Sequence, residues 1–178
     1  MFEAVQQRRT CRQYNNSKKI SREDLEKIVE AGRRAPTGCN YQSLDFFVVD
    51  KQEILDQVAE AVYSNLPQGF KDFMGNPGPV CIFYGAPAAV FLVASRPLRE
   101  DCAEYDMGIV TDSMLLAAHS LGIQSTTVGC ARMGNGKAIQ QLLGLPDDKA
   151  PMAVALGYAA PEWQPGNKEI ASKIHWVE

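Results

Sequence analysis

Two segments constrain this chain more than any others: Arg8-Arg9-Thr10-Cys11-Arg12, and then Ala35-Pro36-Thr37-Gly38-Cys39-Asn40-Tyr41-Gln42. The first gathers three guanidinium groups and a hydroxyl in one short stretch, and the second sets a rigid turn beside two carboxamides. Arg8 and Arg12 are four positions apart, a spacing that on a helical turn projects both side chains to one side, where they would clamp a phosphate bidentately. Thr10 adds a hydroxyl donor. Asn40 and Gln42 each carry a donor and an acceptor, which suits a ring edge of alternating carbonyl and N–H groups. In combination the segments point to a flat, phosphorylated cofactor.

The rest of the composition narrows the partners. A chain of 178 residues with 46% hydrophobic content is expected to form one globular domain over 1–178. Its 18 basic and 21 acidic residues are scattered, so no basic stripe exists to neutralise a nucleic-acid backbone. Met1 to Gln7 lacks the apolar stretch of a signal peptide and no segment reads as membrane-spanning, so the expectation is a cytoplasmic protein. Five cysteines, with no CxxC pair, predict free thiols rather than a disulfide framework or a zinc site.

Along the chain, Ser21-Arg22-Glu23-Asp24 resembles a capping box, followed by a helix with Leu25, Ile28 and Val29 on one face that Pro36 must end. Phe46 to Val49 predicts a buried strand. Ile54, Leu55, Val58, Ala59 and Val62 give the next helix its apolar face. The stretch from Leu66 to Pro87 is punctuated by Pro and Gly and reads as a long, aromatic-bearing loop. Ala88 to Ala94 is a second strand, Asp106 to Leu121 a helix apolar on more than one side, and Ile123 to Val128 a third strand. A short helix over Lys137 to Leu143 and a strand over Met152 to Leu156 complete a layered mixture of α and β elements. The tail from Tyr158 is too polar for its own core, yet carries Trp176 near its end, which suits docking on another surface.

Other chemistries find little support. No GxGxxG follows a strand, and Gly129, Gly134 and Gly136 do not make a P-loop. His119 and His175 are far apart in the chain, and neither a triad order nor a GxSxG elbow is present.

With these motifs in hand, the chain resembles the FMN-dependent nitroreductases, whose R-[RS]-[ST]-x-R and A-P-[ST]-x-x-N-x-Q patterns match Arg8 to Arg12 and Ala35 to Gln42. Gly85-Ala86-Pro87, Gly129 and Ala155-Leu156-Gly157-Tyr158 keep the same register. The resemblance implies an α+β, three-layer fold with a central mixed β-sheet flanked by helices, and a homodimer with a swapped C-terminal tail and FMN at its interface. It further implies that Arg8 and Arg12 contact the phosphate or the pyrimidine edge with Arg9 and Thr10 beside them. Pro36, Thr37, Gly38 and Asn40 would then approach from the partner, and Gln42 is expected among the cofactor-binding residues. Val128 and Gly129 match the segment whose backbone N–H meets flavin N5, and Lys168 matches a cation of the tail. The implied activity is ping-pong hydride transfer from NADH or NADPH through FMN to a small electron-poor acceptor such as a nitroaromatic or quinone. Dehalogenation, flavin cleavage, heterocycle oxidation and a carrier or sensor without turnover stay open on the same fold. Gln42 is followed by Ser43-Leu44 where the family commonly has Pro-Trp, and Glu169 stands where an arginine is usual.

Overall fold

The computed structural model describes residues 2–95, 100–133, 136–145 and 151–177; Gly134 lies outside them. A short helix α1 (Phe2–Gln7) opens the chain, and α2 (Arg22–Arg33) follows where the capping signal predicts it. Ser21 is the N-cap: its Oγ accepts the Asp24 N–H at 3.1 Å and donates to Asp24 Oδ2 at 2.8 Å. Leu25, Ile28 and Gly32 form the buried side of α2, while ion pairs such as Arg22–Glu26 lie in solvent and contribute little. The helix closes at Arg34, ahead of Pro36, whose ring disfavours helical geometry in the preceding residue.

Beyond it run β1 (Leu44–Val49), α3 (Gln52–Ser64), α4 (Gln68–Phe73), β2 (Ala88–Ala94), α5 (Glu100–Ser120), β3 (Gln124–Val128), α6 (Gly136–Leu143) and β4 (Met152–Gly157). The strands form one sheet in the order β1-β2-β4-β3, and every ladder is antiparallel. Among the described residues, the parallel component expected of a mixed sheet is confined to an isolated bridge between Thr10 and Ser125 at the β3 edge.

Alternation along the strands separates two apolar layers. Ala89, Phe91, Val93, Ala153 and Ala155 pack with Leu55, Val58 and Val62 of α3 and Ile139 of α6. Val90, Leu92, Val154 and Leu156 pack with Leu25 and Ile28 of α2 and with Met107, Val110, Met114 and Ala118 of α5. The fold is therefore three layers deep, with the sheet in the middle. β2 is covered on both faces, which accounts for its unbroken apolar run. Burial of a large side chain such as Phe91 or Met114 stabilises the fold by about 1.5–3 kcal/mol.

Gly32 and Gly122 are among the glycines dictated by geometry. A Cβ on Gly32 would lie 2.8 Å from Met114 Cγ, so its absence lets α2 approach α5. Gly122, at φ +72°, ends α5 in a Schellman arrangement: its N–H meets His119 O at 3.0 Å and the Ile123 N–H meets Ala118 O at 2.9 Å. α5 begins at Glu100, before the predicted start at Asp106.

The stretch 66–87 departs from the expected loop. Pro67 leads into α4, and a 3-10 turn spans Pro79–Cys81. A six-residue helix is too short to show periodicity, and flanking Pro and Gly residues mask it. Leu66, Ile82 and Phe83 anchor this stretch in the core. After Ala160 the tail carries no regular element, and Ile170, Ile174, Trp176 and Val177 are all more than three-quarters exposed. No helix among the described residues is long and apolar enough to cross a membrane.

Candidate functional site

Past Arg8, whose N–H closes α1 on Ala4 O at 2.9 Å, the arginine cluster leaves the helix. α1 ends at Gln7, and the chain then runs beside β3: Thr10 bridges Ser125, and the Cys11 N–H donates to Ser125 O at 3.1 Å. Thr126 Oγ1 donates to Cys11 O, and the buried Tyr14 hydroxyl donates to Thr126 Oγ1 at 3.0 Å, locking the segment in place. Burial pushes the Tyr14 pKa up, opposed by the Thr126 bond, so the phenol stays a neutral donor. The helical turn expected to place Arg8 and Arg12 on one side is not formed, because α1 closes with the Arg8 N–H on Ala4 O at 2.9 Å. Along the segment that pairs with β3 the burial alternates, Thr10 and Arg12 being exposed and Cys11 buried. Arg8 stands at the end of α1 and Arg12 two residues past the Thr10 bridge, about 7 Å further along an extended chain.

Arg9 is committed to backbone carbonyls. Its Nε donates to Gly166 O at 3.0 Å and its Nη1 to Gln6 O at 2.7 Å and Arg8 O at 2.9 Å, so it fastens the start of the tail to the N-terminal segment. Among the described residues, the side chains of Arg8 and Arg12 have no hydrogen bond or ion pair. An anion reaching this face meets two cations that the protein leaves uncompensated.

The second cluster is a compact turn between α2 and β1. Gly38–Asn40 form one 3-10 turn, and Cys39, Asn40 and Gln42 sit in the left-handed region at φ 52°, 53° and 53°. Asn tolerates that region; for Cys and Gln it costs on the order of 1 kcal/mol each. Three bonds oppose the strain. Gln42 N–H donates to Thr37 Oγ1 at 3.1 Å, Gln42 Nε2 donates to Asn40 Oδ1 at 3.0 Å, and Gly38 N–H donates to Asp106 Oδ1 at 2.9 Å. The remaining amide hydrogens of Asn40 and the Gln42 carbonyl oxygen are left for another partner. A cleft of about 440 Å³ adjoins the turn, lined by Thr37, Gln42 and Phe46 among others.

Asp106 was not singled out by the sequence reading. Its signal was present: it continues the stripe Val110, Met114 and Ala118 that α5 buries, and a carboxylate at such a position requires a donor.

The two clusters occupy diagonal corners of the sheet. The turn enters β1 at Leu44, which pairs with Ala94 at one end of β2. Ser125, beside Thr10, reaches Ala88 at the other end through Leu156. Crossing from β3 to β1 takes three inter-strand steps, about 14 Å, before the offset along the strands is added. Val128 and Gly129 follow at the far end of β3, Val128 buried and Gly129 open at its Cβ position. The parallel register places Arg12 toward that end and Arg8 toward Ile123. Lys168 is exposed in the tail.

The donor set fits FMN: uncompensated cations for a phosphate, carboxamides for a ring edge, and a turn ordered in advance. Among the described residues no cluster of His, Cys, Asp and Glu could hold a metal. Burial pushes the thiols of Cys11, Cys81 and Cys130 above their ordinary range, so none is a ready thiolate.

Comparison with known proteins agrees with this reading of the chain. A protein of Archaeoglobus fulgidus, provisionally named an NADH dehydrogenase/NAD(P)H nitroreductase, is 34% identical over 160 residues, 87% of this chain and 83% of its own length. The crystal structure of a nitroreductase with bound FMN from Bacteroides fragilis superposes with a TM-score of 0.88 at 28% identity, covering 99% of this chain and 98% of that one. An FMN-bound nitroreductase from Desulfitobacterium hafniense gives 0.86 at 28% identity, over 99% and 97% of the two chains. The sequence pattern of the nitroreductase family itself matches residues 5–158, and the chain belongs to that family.

Proposed function

We propose that this chain is an FMN-dependent oxidoreductase that uses NADH or NADPH to reduce a small electron-poor acceptor, such as a nitroaromatic or quinone. The observation that supports the reading is that Arg8 and Arg12, on either side of the Thr10 bridge to the β3 edge, have side chains with no hydrogen bond or ion pair among the described residues. When bound, FMN supplies the hydride chemistry, and no side chain of the protein need act as acid or base. The protein's part is binding and orientation. Arg8 lies at the end of the row remote from Gly129 and would hold the phosphate. Arg12 lies at the near end and would meet the pyrimidine edge, with the Gly129 backbone N–H donating toward N5. A donor there favours the form in which negative charge grows on the ring. A ping-pong order, in which the nicotinamide leaves before the acceptor enters, suits a single open flavin face.

The site is completed by a second copy of the chain. One protomer cannot bring the Pro36–Gln42 turn to the arginine row, because they lie at opposite corners of the sheet. The surface supports association. Phe2 and Val5 on α1 and Tyr105 and Ile109 on α5 are exposed large apolar side chains, and Tyr105 and Ile109 share a helical face. The outer edge of β1 is unpaired among the described residues, with Val48 exposed beside an open groove along α2. The tail, with Ile170, Ile174 and Trp176, would lie in that groove on the partner and bring Lys168 near the cofactor.

The test is spectroscopic. Flavin-free protein titrated with FMN, then treated anaerobically with NADH or NADPH, should lose its visible flavin bands and regain them on addition of a quinone or nitroaromatic. Protein that takes up no FMN would overturn the reading, and bound FMN that neither nicotinamide bleaches would leave a carrier instead.

A further inference from the structure

We propose that Asp106 is the positioning residue of the flavin-contacting turn. The proposal rests on the flavin reading above. Asp106 is 5% exposed, on the side of α5 that buries Val110, Met114 and Ala118. At that place a carboxylate is tolerated only with a compensating donor. The donor is the Gly38 N–H, 68 residues away in sequence and 2.9 Å away in space. Gly38 opens the 3-10 turn, and the residues that follow it include the left-handed Cys39, Asn40 and Gln42.

The turn's other bonds, Gln42 N–H to Thr37 Oγ1, Gln42 Nε2 to Asn40 Oδ1 and the backbone pairs Asn40 N–H to Thr37 O and Tyr41 N–H to Gly38 O, begin and end within it, and the first two are exposed. Water competes for them, and neither attaches the turn to the rest of the fold. The Asp106 bond is charge-assisted, partly buried and anchored on the longest helix described, so it sets where the turn stands relative to the α2/α5 layer. A turn held this way meets the cofactor of the partner subunit already ordered. Binding then avoids the entropic cost of arranging Pro36, Thr37, Gly38 and Asn40. Asp106 acts through the turn and touches neither cofactor nor substrate.

The test compares wild-type, Asp106→Ala and Asp106→Asn proteins in flavin-free form. Amide hydrogen exchange followed by NMR should show Gly38 protected in the wild type, exposed in Asp106→Ala, and largely protected in Asp106→Asn, which retains an acceptor oxygen. Fluorescence titration with FMN should give a Kd at least tenfold higher for Asp106→Ala, equal to about 1.4 kcal/mol, and within about threefold of wild type for Asp106→Asn. An unprotected Gly38 amide in wild-type protein overturns the proposal with no variant made, and this measurement decides if Asp106→Ala does not fold. Wild-type FMN affinity in a folded Asp106→Ala protein also overturns it, as does an Asp106→Asn protein equally impaired at an unchanged melting temperature. Wild-type protein that binds no FMN overturns the flavin reading instead, an outcome seen before any variant is compared.

Discussion

Replacing Arg8 with alanine removes the cation at the end of the row remote from Gly129, so the expected loss is specific to the phosphate. Arg8 stands at the end of α1 and Arg12 beyond the Thr10 bridge, which gives the two side chains different parts of one elongated ligand. A hydrogen bond to a charged group contributes about 1.5–3 kcal/mol, and taking 2 kcal/mol as central, the FMN Kd should rise roughly 30-fold. Riboflavin has the same ring and ribityl chain without the phosphate, so its Kd should stay within about twofold of wild type. Arg12→Ala should behave differently, weakening FMN and riboflavin by similar factors because the contact it loses is to the ring. Quenching of flavin fluorescence on addition of flavin-free protein measures all four constants, and repeating the FMN series at higher salt should shrink the Arg8 effect as screening grows. If Arg8→Ala weakens riboflavin as much as FMN, or if the Arg12→Ala loss is confined to FMN, the division of labour read from the parallel register is wrong.

Gly157→Ala should destabilise the fold, since the added Cβ would lie 2.7 Å from Pro87 Cδ and 2.8 Å from Tyr14 Cδ1. Overpacking of this kind costs about 1–3 kcal/mol, and a Tm lowered by roughly 4–8 °C is expected; an unchanged Tm would show that the neighbours yield freely. If the tail completes the proposed dimer, truncation after Gly166 should give a monomer in sedimentation and abolish FMN uptake, whereas a truncated dimer that still binds FMN would remove the tail from the interface. Stability should also fall at alkaline pH. The thiols of Cys11, Cys81 and Cys130 and the Tyr14 phenol all have folded pKa values raised chiefly by burial, so the folded state retains protons that the unfolded chain releases. Their contribution is fully present below the unfolded thiol value of 9.0 and is lost as pH rises through the folded values. Urea denaturation at pH 8 and pH 10 should show the lower midpoint at pH 10, and equal midpoints would refute it.

Much of the architecture follows from neighbours in the chain. Ser21 and Asp24 cap α2, and the 3.6-residue spacing of Leu25 and Ile28 and of Leu55, Val58 and Val62 marks the buried sides of α2 and α3. The apolar run Ala88–Ala94 marks the central strand, and Gly122 ends α5. These signals act within one or two turns, so they can be read without knowing what packs where. The two polar clusters were visible in the same way, as residue types at fixed spacing.

What the clusters do in space was decided elsewhere. The chain past Arg8 leaves the helix because Thr10 and Cys11 pair with Ser125, more than a hundred residues later, and this long-range bond replaces the helical turn that the spacing alone allowed. Arg9 leaves the row because carbonyls at Gln6, Arg8 and Gly166 satisfy its guanidinium. Asp106 gained its partner only when α5 was laid beside the turn. The separation of the clusters to opposite corners of the sheet is likewise a property of strand order, β1-β2-β4-β3, which no local pattern encodes. Periodicity, caps and breakers are short-range consequences of backbone geometry and were legible in the sequence. The conformation and placement of the candidate site rest on hydrogen bonds between residues far apart in the chain, and those exist only once the layers have packed.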